Sequence, residues 1–230
     1  MMTHLLAILL TAQAAIAAAP PEPAAPSAPP RQVCPKDPKA AEKAARHTYS
    51  QLVAEYADAL PGPRGESHRE RRVEEIIARS LDVGTFARET LKRVWTKGDA
   101  AQQRRWTETL GSMLHRKYRD RLQDPHKHRL TITKVKLVKC HFAVVEGRLV
   151  PRIRKRTDDG NDVVLRMSHG PSGWRVYDVK VDETSLLLMW RSRFRRIYND
   201  GKLAAVEGQL AKLAKRYPCK TPACKRFAKP

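Results

Sequence analysis

Apolar positions along the first half of the chain recur at spacings of three and four, the stripe of an amphipathic helix. Ala45, Tyr49, Leu52, Val53, Tyr56 and Leu60 mark a first helix over 38–60, ended by Pro61-Gly62-Pro63. Residues 64–72 are highly charged and open a second helix, whose apolar face is Val73, Ile76 and Ile77. After a break at Leu81-Asp82-Val83-Gly84, a third helix over 85–96 buries Phe86, Thr90, Leu91, Val94 and Trp95. Lys97-Gly98 stops it, and Asp99 with Gln102 three residues later makes a capping-box pattern. A fourth helix then carries Trp106, Leu110, Met113, Leu114, Tyr118 and Leu122 on one face and ends at Asp124-Pro125.

Beyond this point the period shortens. Leu130 to Glu146 is rich in Val, Ile, Thr and Leu and reads as one strand with a bulge near Val138. Residues 148–156 form a second, basic strand, and Asp158-Asp159-Gly160-Asn161 is a hairpin turn. Val163, Leu165 and Met167 alternate on a third strand. Trp174 to Val181 is a fourth, apolar on both faces and therefore central. Helix returns near Thr184 with Leu186, Leu187, Trp190, Phe194, Ile197 and Tyr198 on one side. Gly201 reads as a stop, and a last helix carries Leu203, Val206, Leu210 and Leu213. The expected fold is α+β, with several helices packed on a curved antiparallel sheet of about four strands.

The two ends carry different information. Residues 1–17 have an apolar run and an Ala15-Ile16-Ala17 site, the form of a cleaved secretory signal peptide. Residues 18–37 read as a Pro/Ala-rich linker, with six prolines between Pro20 and Arg31. The folded domain is expected over 38–217, followed by a Cys-containing basic tail over 218–230. Cys34, Cys140, Cys219 and Cys224 are an even set in an exported chain, which points to disulfides. Three pairings are open. Cys219 and Cys224 straddle a Thr-Pro turn, and pairing them would leave Cys34 to reach Cys140.

Charge adds a second theme. The 230 residues hold 45 Lys+Arg against 24 Asp+Glu, a formal net charge of +21. That excess calls for an anionic partner: nucleic acid, a membrane surface or an envelope polyanion. With 41% hydrophobic residues the chain is not one of wholesale disorder, and its single long uncharged run excludes a membrane-spanning bundle.

Catalytic patterns are missing: there is no G-x-S-x-G, H-E-x-x-H, P-loop or G-x-G-x-x-G. No metal is expected, because His126-Lys127-His128 reads as a solvated turn. His115 falls on the charged side of its helix, and His141 and His169 gain no partner from spacing alone. Asp178, on the central strand, reads as a structural carboxylate. An enzyme would use it as a general base in a polar pocket. A polyanion-binding protein would instead use Lys134, Lys136, Lys139, Arg148, Arg152, Arg154, Lys155 and Arg156 on two neighbouring strands. The helix-covered sheet also leaves room for an apolar cavity, which periodicity does not separate from plain core.

Two blocks carry a resemblance. Residues 81–118 read L-D-V-G-T-F-A-R-E-T-L-K-R-V-W-T-K-G-D-A-A-Q-Q-R-R-W-T-E-T-L-G-S-M-L-H-R-K-Y, and residues 174–194 read W-R-V-Y-D-V-K-V-D-E-T-S-L-L-L-M-W-R-S-R-F. From about Arg46 to Arg216 the chain resembles the MlaC, or toluene-tolerance, family of periplasmic phospholipid-binding proteins. It departs from the family pattern where Lys92 and Glu183 replace glycines, where Trp106 and Leu110 replace phenylalanines, and at Trp190. The cysteines and the strong basicity are not part of that pattern.

The resemblance implies a soluble, non-enzymatic carrier on an NTF2-like or similar cavity-forming fold. It implies phospholipid as ligand with no other cofactor, and traffic between an outer-membrane lipoprotein/porin complex and an inner-membrane ABC transporter. A monomer is expected, anionic surfaces are possible partners, and nucleic acid is disfavoured. The lipid lining is expected among Phe86, Leu91, Val94, Trp95, Leu110, Met113, Leu114, Val163, Leu165, Val176, Val179, Leu187, Trp190 and Phe194. Arg152, Arg154 and Arg191 are the expected headgroup neighbours.

Overall fold

The computed structural model describes residues 37–57, 63–121, 125–153 and 160–219. Arg154, Lys155, Arg156, Cys34 and Cys224 lie outside them, as do the signal segment, nearly all of the linker and most of the tail. Four helices precede the sheet: α1 (Pro38–Ala57), α2 (Pro63–Ser80), α3 (Val83–Leu91) and α4 (Ala100–Arg121). The sheet follows as β1 (His128–Leu137), β2 (Phe142–Pro151), β3 (Asn161–Gly170), β4 (Gly173–Val181) and β5 (Thr184–Ser185). The long helix α5 (Leu186–Arg216) closes the domain. The strands form one antiparallel meander in the order β1-β2-β3-β4-β5. This is the expected α+β class, with a short fifth strand added.

One strand reading is corrected. The run Leu130–Glu146 is two strands, because the chain reverses through Val138–His141. Lys139 takes φ 65°, and Val138 N donates to Phe142 O at 2.7 Å. The turn contains neither Gly nor Pro, so nothing in composition marks it. The bulge lies elsewhere, between Ile132 and Lys134. At the same level Gly147 leaves no space for a Cβ against the Thr131 carbonyl, so the close approach of β1 to β2 requires glycine there.

The end of the domain follows the expectation: non-helical backbone at Gly201 (φ −132°, ψ 17°) and Lys202 (φ 54°, ψ −153°) divides the α5 span into two helices across a kink.

The inner face of the sheet is built from cross-strand rows. Val135, Val145, Leu165 and Val179 form one, and Leu137, Ala143, Met167 and Val176 the next. Helical side chains meet them in a single core that includes Phe86, Trp106, Leu110, Met113, Leu114, Leu187 and Phe194. His115, expected on a charged face, is buried there instead, with Nε2 donating to the Glu74 carbonyl at 3.2 Å.

Two carboxylates join helices to strands. Asp82 caps α3, accepting from Thr85 N at 3.0 Å and from the hydroxyls of Thr85 and Ser168. Its own N–H donates to Val176 O at 2.8 Å, which ties the same turn to β4. Asp178 is fully buried and accepts from Ser185 Oγ at 2.7 Å, Leu187 N at 3.4 Å and Arg166 at 3.4 Å. Ser185 Oγ in turn accepts from Leu188 N and so caps α5. The capping box at Asp99 and Gln102 forms reciprocally, at 2.7 and 2.9 Å. Below it Gln103 Nε2 donates to the carbonyls of Trp95 and Gly98, and Trp106 Nε1 donates to Glu207 on α5 at 3.0 Å. At Gly98 an added Cβ would overlap the Trp106 ring.

Cys140 and Cys219 are the two described cysteines, and neither is a free thiol. No disulfide joins one described residue to another.

Two outcomes test these contacts. Gly98→Ala should lower the unfolding free energy by about 1–3 kcal/mol through overpacking on Trp106, measured by denaturant melts. Burial works to raise the Asp82 carboxyl, but the Ser168 and Thr85 hydrogen bonds, with Arg175 nearby, outweigh it and hold Asp82 below its usual range. A depressed carboxylate adds stability that is present above its unfolded value and lost as pH falls through the folded one. The stability gap between wild type and Asp82→Asn should therefore be full at neutral pH and close below about pH 4. Melts across that range that show a constant gap would contradict the assignment.

Candidate functional site

Between the inner sheet face and the first two helices the side chains do not meet completely. They leave a cavity of about 180 Å³. Its sheet wall is Leu130 from β1, Leu149 from β2, Val163 and Leu165 from β3, and Val176, Val179 and Val181 from β4. The opposite wall is Ala45, Thr48 and Tyr49 from α1, Ile77 and Ser80 from α2, Leu81, and Tyr118 from α4. Alternation sets Val163 and Leu165 on one face of β3, and on β4 the bulge that leaves Tyr177 unpaired turns Val176 to the same face as Val179 and Val181. Together with Leu130 and Leu149 they face a helix stripe at spacings of three and four.

Among the described residues no charged side chain lines this space. Its polar atoms are hydroxyls, and the Tyr118 hydroxyl accepts from Val179 N at 3.0 Å. Burial pushes the Tyr49 phenol up to about 12, against the opposing pull of Arg152. Tyr49 is thus neutral across the physiological range. The described wall holds neither carboxylate, thiol nor imidazole that would activate its Thr48, Ser80 and tyrosine hydroxyls. What it offers is hydrocarbon contact.

A surface cleft of about 310 Å³ adjoins the cavity and shares Tyr49 and Leu130 with it. Its other walls include Arg46, Arg129 and Arg152. Arg152 Nε donates to the His128 carbonyl at 3.3 Å, and Arg46 pairs with Glu42 at 2.7 Å. An apolar cavity therefore has a basic cleft at its edge, the polarity pattern an amphiphile with an anionic head would match.

The residues singled out in the sequence divide into three groups. Val163, Leu165, Val176 and Val179 line the cavity. Phe86, Leu110, Met113, Leu114, Leu187, Trp190 and Phe194 are buried core outside its lining, and Trp95 is half-buried beside Trp106 at 6.2 Å between ring centroids. Leu91, Val94 and Arg191 line a different surface cleft, between the end of α3 and α5. There Arg191 donates to the Glu89 carbonyl at 2.7 Å and to its carboxylate at 3.0 Å. Of the two expected headgroup arginines among the described residues, Arg152 stands beside the cavity, while Arg154 lies outside them.

Sequence reasoning missed Ala45, Tyr49, Ile77 and Tyr118 as lining residues, although all four had been placed on apolar helix faces, and it missed Thr48, Ser80, Leu81, Leu130, Leu149 and Val181 as well. It also missed Arg46 and Arg129. Nothing in a helix stripe shows which part of it meets a gap rather than a neighbour.

Asp178 does not line the cavity. All its described contacts are structural, so the enzyme reading that would use it as a base fails on position. Among the described residues no group of His, Cys, Asp or Glu is placed to hold a metal. Lys134, Lys136, Lys139 and Arg148 do form an exposed basic edge on β1, β2 and the turn between them, with Arg148 paired to Asp162 at 3.1 Å. No described helix is long and apolar enough to cross a membrane.

Comparison with known proteins follows the same direction. A structure described as the phospholipid-binding protein from Ralstonia solanacearum in complex with a phospholipid matches with a TM-score of 0.59 at 16% identity. The match covers 82% of this chain and 99% of that one, and at this identity it speaks for a shared fold. No curated protein matches the chain. The family model described as MlaC protein matches residues 46–214, which is well over half of the sequence. The chain belongs to the MlaC protein family.

Proposed function

We propose that this protein is a non-enzymatic phospholipid carrier that takes acyl chains into the cavity between α1, α2 and the sheet. The observation that carries the reading is the uncharged apolar lining in a chain of this family. The phospholipid held by the Ralstonia solanacearum structure of the same fold supports it. Burying hydrocarbon contributes about 0.8 kcal/mol per CH2, so an acyl chain supplies ample driving force without any polar contact. The headgroup stays at the edge, where Arg46, Arg129 and Arg152 meet its phosphate and Tyr49 offers a neutral hydroxyl.

The carrier works in the periplasm, reached through the signal peptide over 1–17. It moves lipid between an outer-membrane lipoprotein/porin complex and an inner-membrane ABC transporter and so maintains outer-membrane asymmetry. The exported compartment also suits disulfides at Cys140 and Cys219.

Size sets a further requirement. At ~30 Å³ per water, a space of about 180 Å³ equals roughly six waters, below the 300–1,000 Å³ typical of ligand pockets. Two acyl chains need more, so the walls must part on loading. The sheet is held by its ladder, so the parting falls on α1 and α2.

The direct test extracts the purified mature protein with organic solvent and weighs the lipid by mass spectrometry. About one phospholipid per chain is expected from wild type. Val176→Asp and Val179→Phe should each lower the ratio about tenfold, the first by charging the cavity and the second by filling it. The two act by different physics, so a folding defect in one leaves the other informative. Lys134→Ala, on the outer side of β1, should load normally. Full loading in both cavity variants would place the lipid elsewhere.

A second outcome concerns the walls. Removing lipid should change amide exchange in α1 and α2 more than in β2 and β3. Equal changes would contradict the parting of α1 and α2 from the sheet.

A further inference from the structure

The cleft between α3 and α5 is not used by the carrier reading, and its chemistry is distinct from that of the cavity. It measures about 620 Å³ and is walled by residues 90–94 on one side and by Leu188, Arg191, Ser192, Arg195, Tyr198 and Asn199 on the other. Four of its side chains are cationic: Lys92, Arg93, Arg191 and Arg195. One carboxylate answers them, since Lys92 and Arg191 both pair with Glu89, at 2.6 and 3.0 Å. Arg93 and Arg195 are exposed and make no ion pair among the described residues.

Three further observations fall on the same place. Lys92 holds φ 47° and ψ −110°, a left-handed conformation where glycine would be free of strain, so the chain keeps a lysine at this rim against backbone preference. Thr90, in the wall, is 1% exposed, and its Oγ1 has no hydrogen-bond partner. Leu188 and Met189, successive residues on the first turn of α5, are 42% and 49% exposed. A single exposed leucine means little. Two large apolar side chains side by side, followed on the same exposed surface by Arg193, Arg195 and Arg196, are the composition of a membrane-surface helix.

We propose that this end of the molecule docks on an anionic bilayer, with Leu188 and Met189 entering the interface and a lipid phosphate seated in the cleft between Arg93 and Arg195. Arginine forks match phosphate oxygens two at a time. A bilayer also places hydrocarbon directly beneath its phosphates, which satisfies the apolar pair and the cations in one plane. An acidic protein surface would match the cations alone. The cleft shares no lining residue with the cavity, so the phosphate it takes is not the head of the carried lipid. The proposal rests on the carrier reading only in that a carrier has reason to approach a membrane.

The test is flotation of the full mature protein with vesicles of phosphatidylcholine containing roughly 30% phosphatidylglycerol, near 0.1 M salt, against pure phosphatidylcholine. Wild type should float with the anionic vesicles alone. The double variant Arg93→Glu/Arg195→Glu and the double variant Leu188→Asp/Met189→Asp should each bind at least tenfold less. Lys134→Glu/Lys136→Glu, with the same change in net charge on β1, should bind like wild type. Equal loss in that control would reduce the effect to overall charge and overturn the proposal. So would wild-type binding in the cleft variants, or capture of an acidic protein with no vesicle binding. Release of wild type from vesicles by inorganic phosphate at matched ionic strength would mark a free-phosphate site and overturn docking too. Lipid co-purifying with each variant is weighed in parallel. Loaded protein that ignores vesicles sinks docking alone, whereas lipid-free wild type sinks the carrier reading and leaves the flotation result standing.

Discussion

Everything on the β4 side of the domain depends on two acidic side chains that hold helices to strands. Asp82 sits where α3 begins and accepts from Ser168 on β3, while its backbone bonds to β4. Asp178, inside the sheet, holds Ser185 and the first turn of α5. Each satisfies helix N-terminal groups that would otherwise be buried without partners, and each favours the positive end of a helix dipole. Because α3 and α5 are fixed in this way, they complete a dense core with α4. The helices on the other side, α1 and α2, are left to cover the remaining sheet, and there the packing is incomplete. The cavity is the consequence of a fold pinned at one side and only covered at the other.

That division also separates the apolar and charged parts of the chain. Hydrocarbon contact inside the cavity needs no charge, and its described lining contains none. The cations are displaced to surfaces: the cleft beside Tyr49, the outer edge of β1 and the cleft between α3 and α5. Two of these flank routes by which an amphiphile or a bilayer would be met. A net charge of +21 thus resolves into patches with different neighbours. Among the described residues, unpaired cations, an exposed apolar pair and a strained backbone coincide at the cleft between α3 and α5.

Where local rules act, the sequence was readable. Helix stripes, the capping box at Asp99 and the alternation on β3 all follow from contacts within a few residues, and they formed, although the third helix ends at Leu91 and not at 96. The reading failed where tertiary contact overrode local signs. Val138–His141 turns without Gly or Pro because the β1–β2 pairing enforces it. His115 looked solvated by its neighbours, yet its ring N–H donates to the Glu74 carbonyl on α2 inside the core.

By itself the sequence determined the α+β class and the family, and alternation on β3 placed Val163 and Leu165 on one face. It did not determine which apolar helix residues face the gap. Core and cavity positions share the same stripe and the same chemistry, and they differ only in whether an atom stands opposite. Tyr49 and Tyr118 meet space, whereas Phe86, Leu110 and Phe194 meet neighbours. The same holds for charge. Arg152 and Arg191 are equally basic in sequence, but one stands at the cavity edge and the other is held by Glu89 on the far side of the sheet's helices. Position relative to a void is a property of three-dimensional packing, and only the tertiary structure decided it.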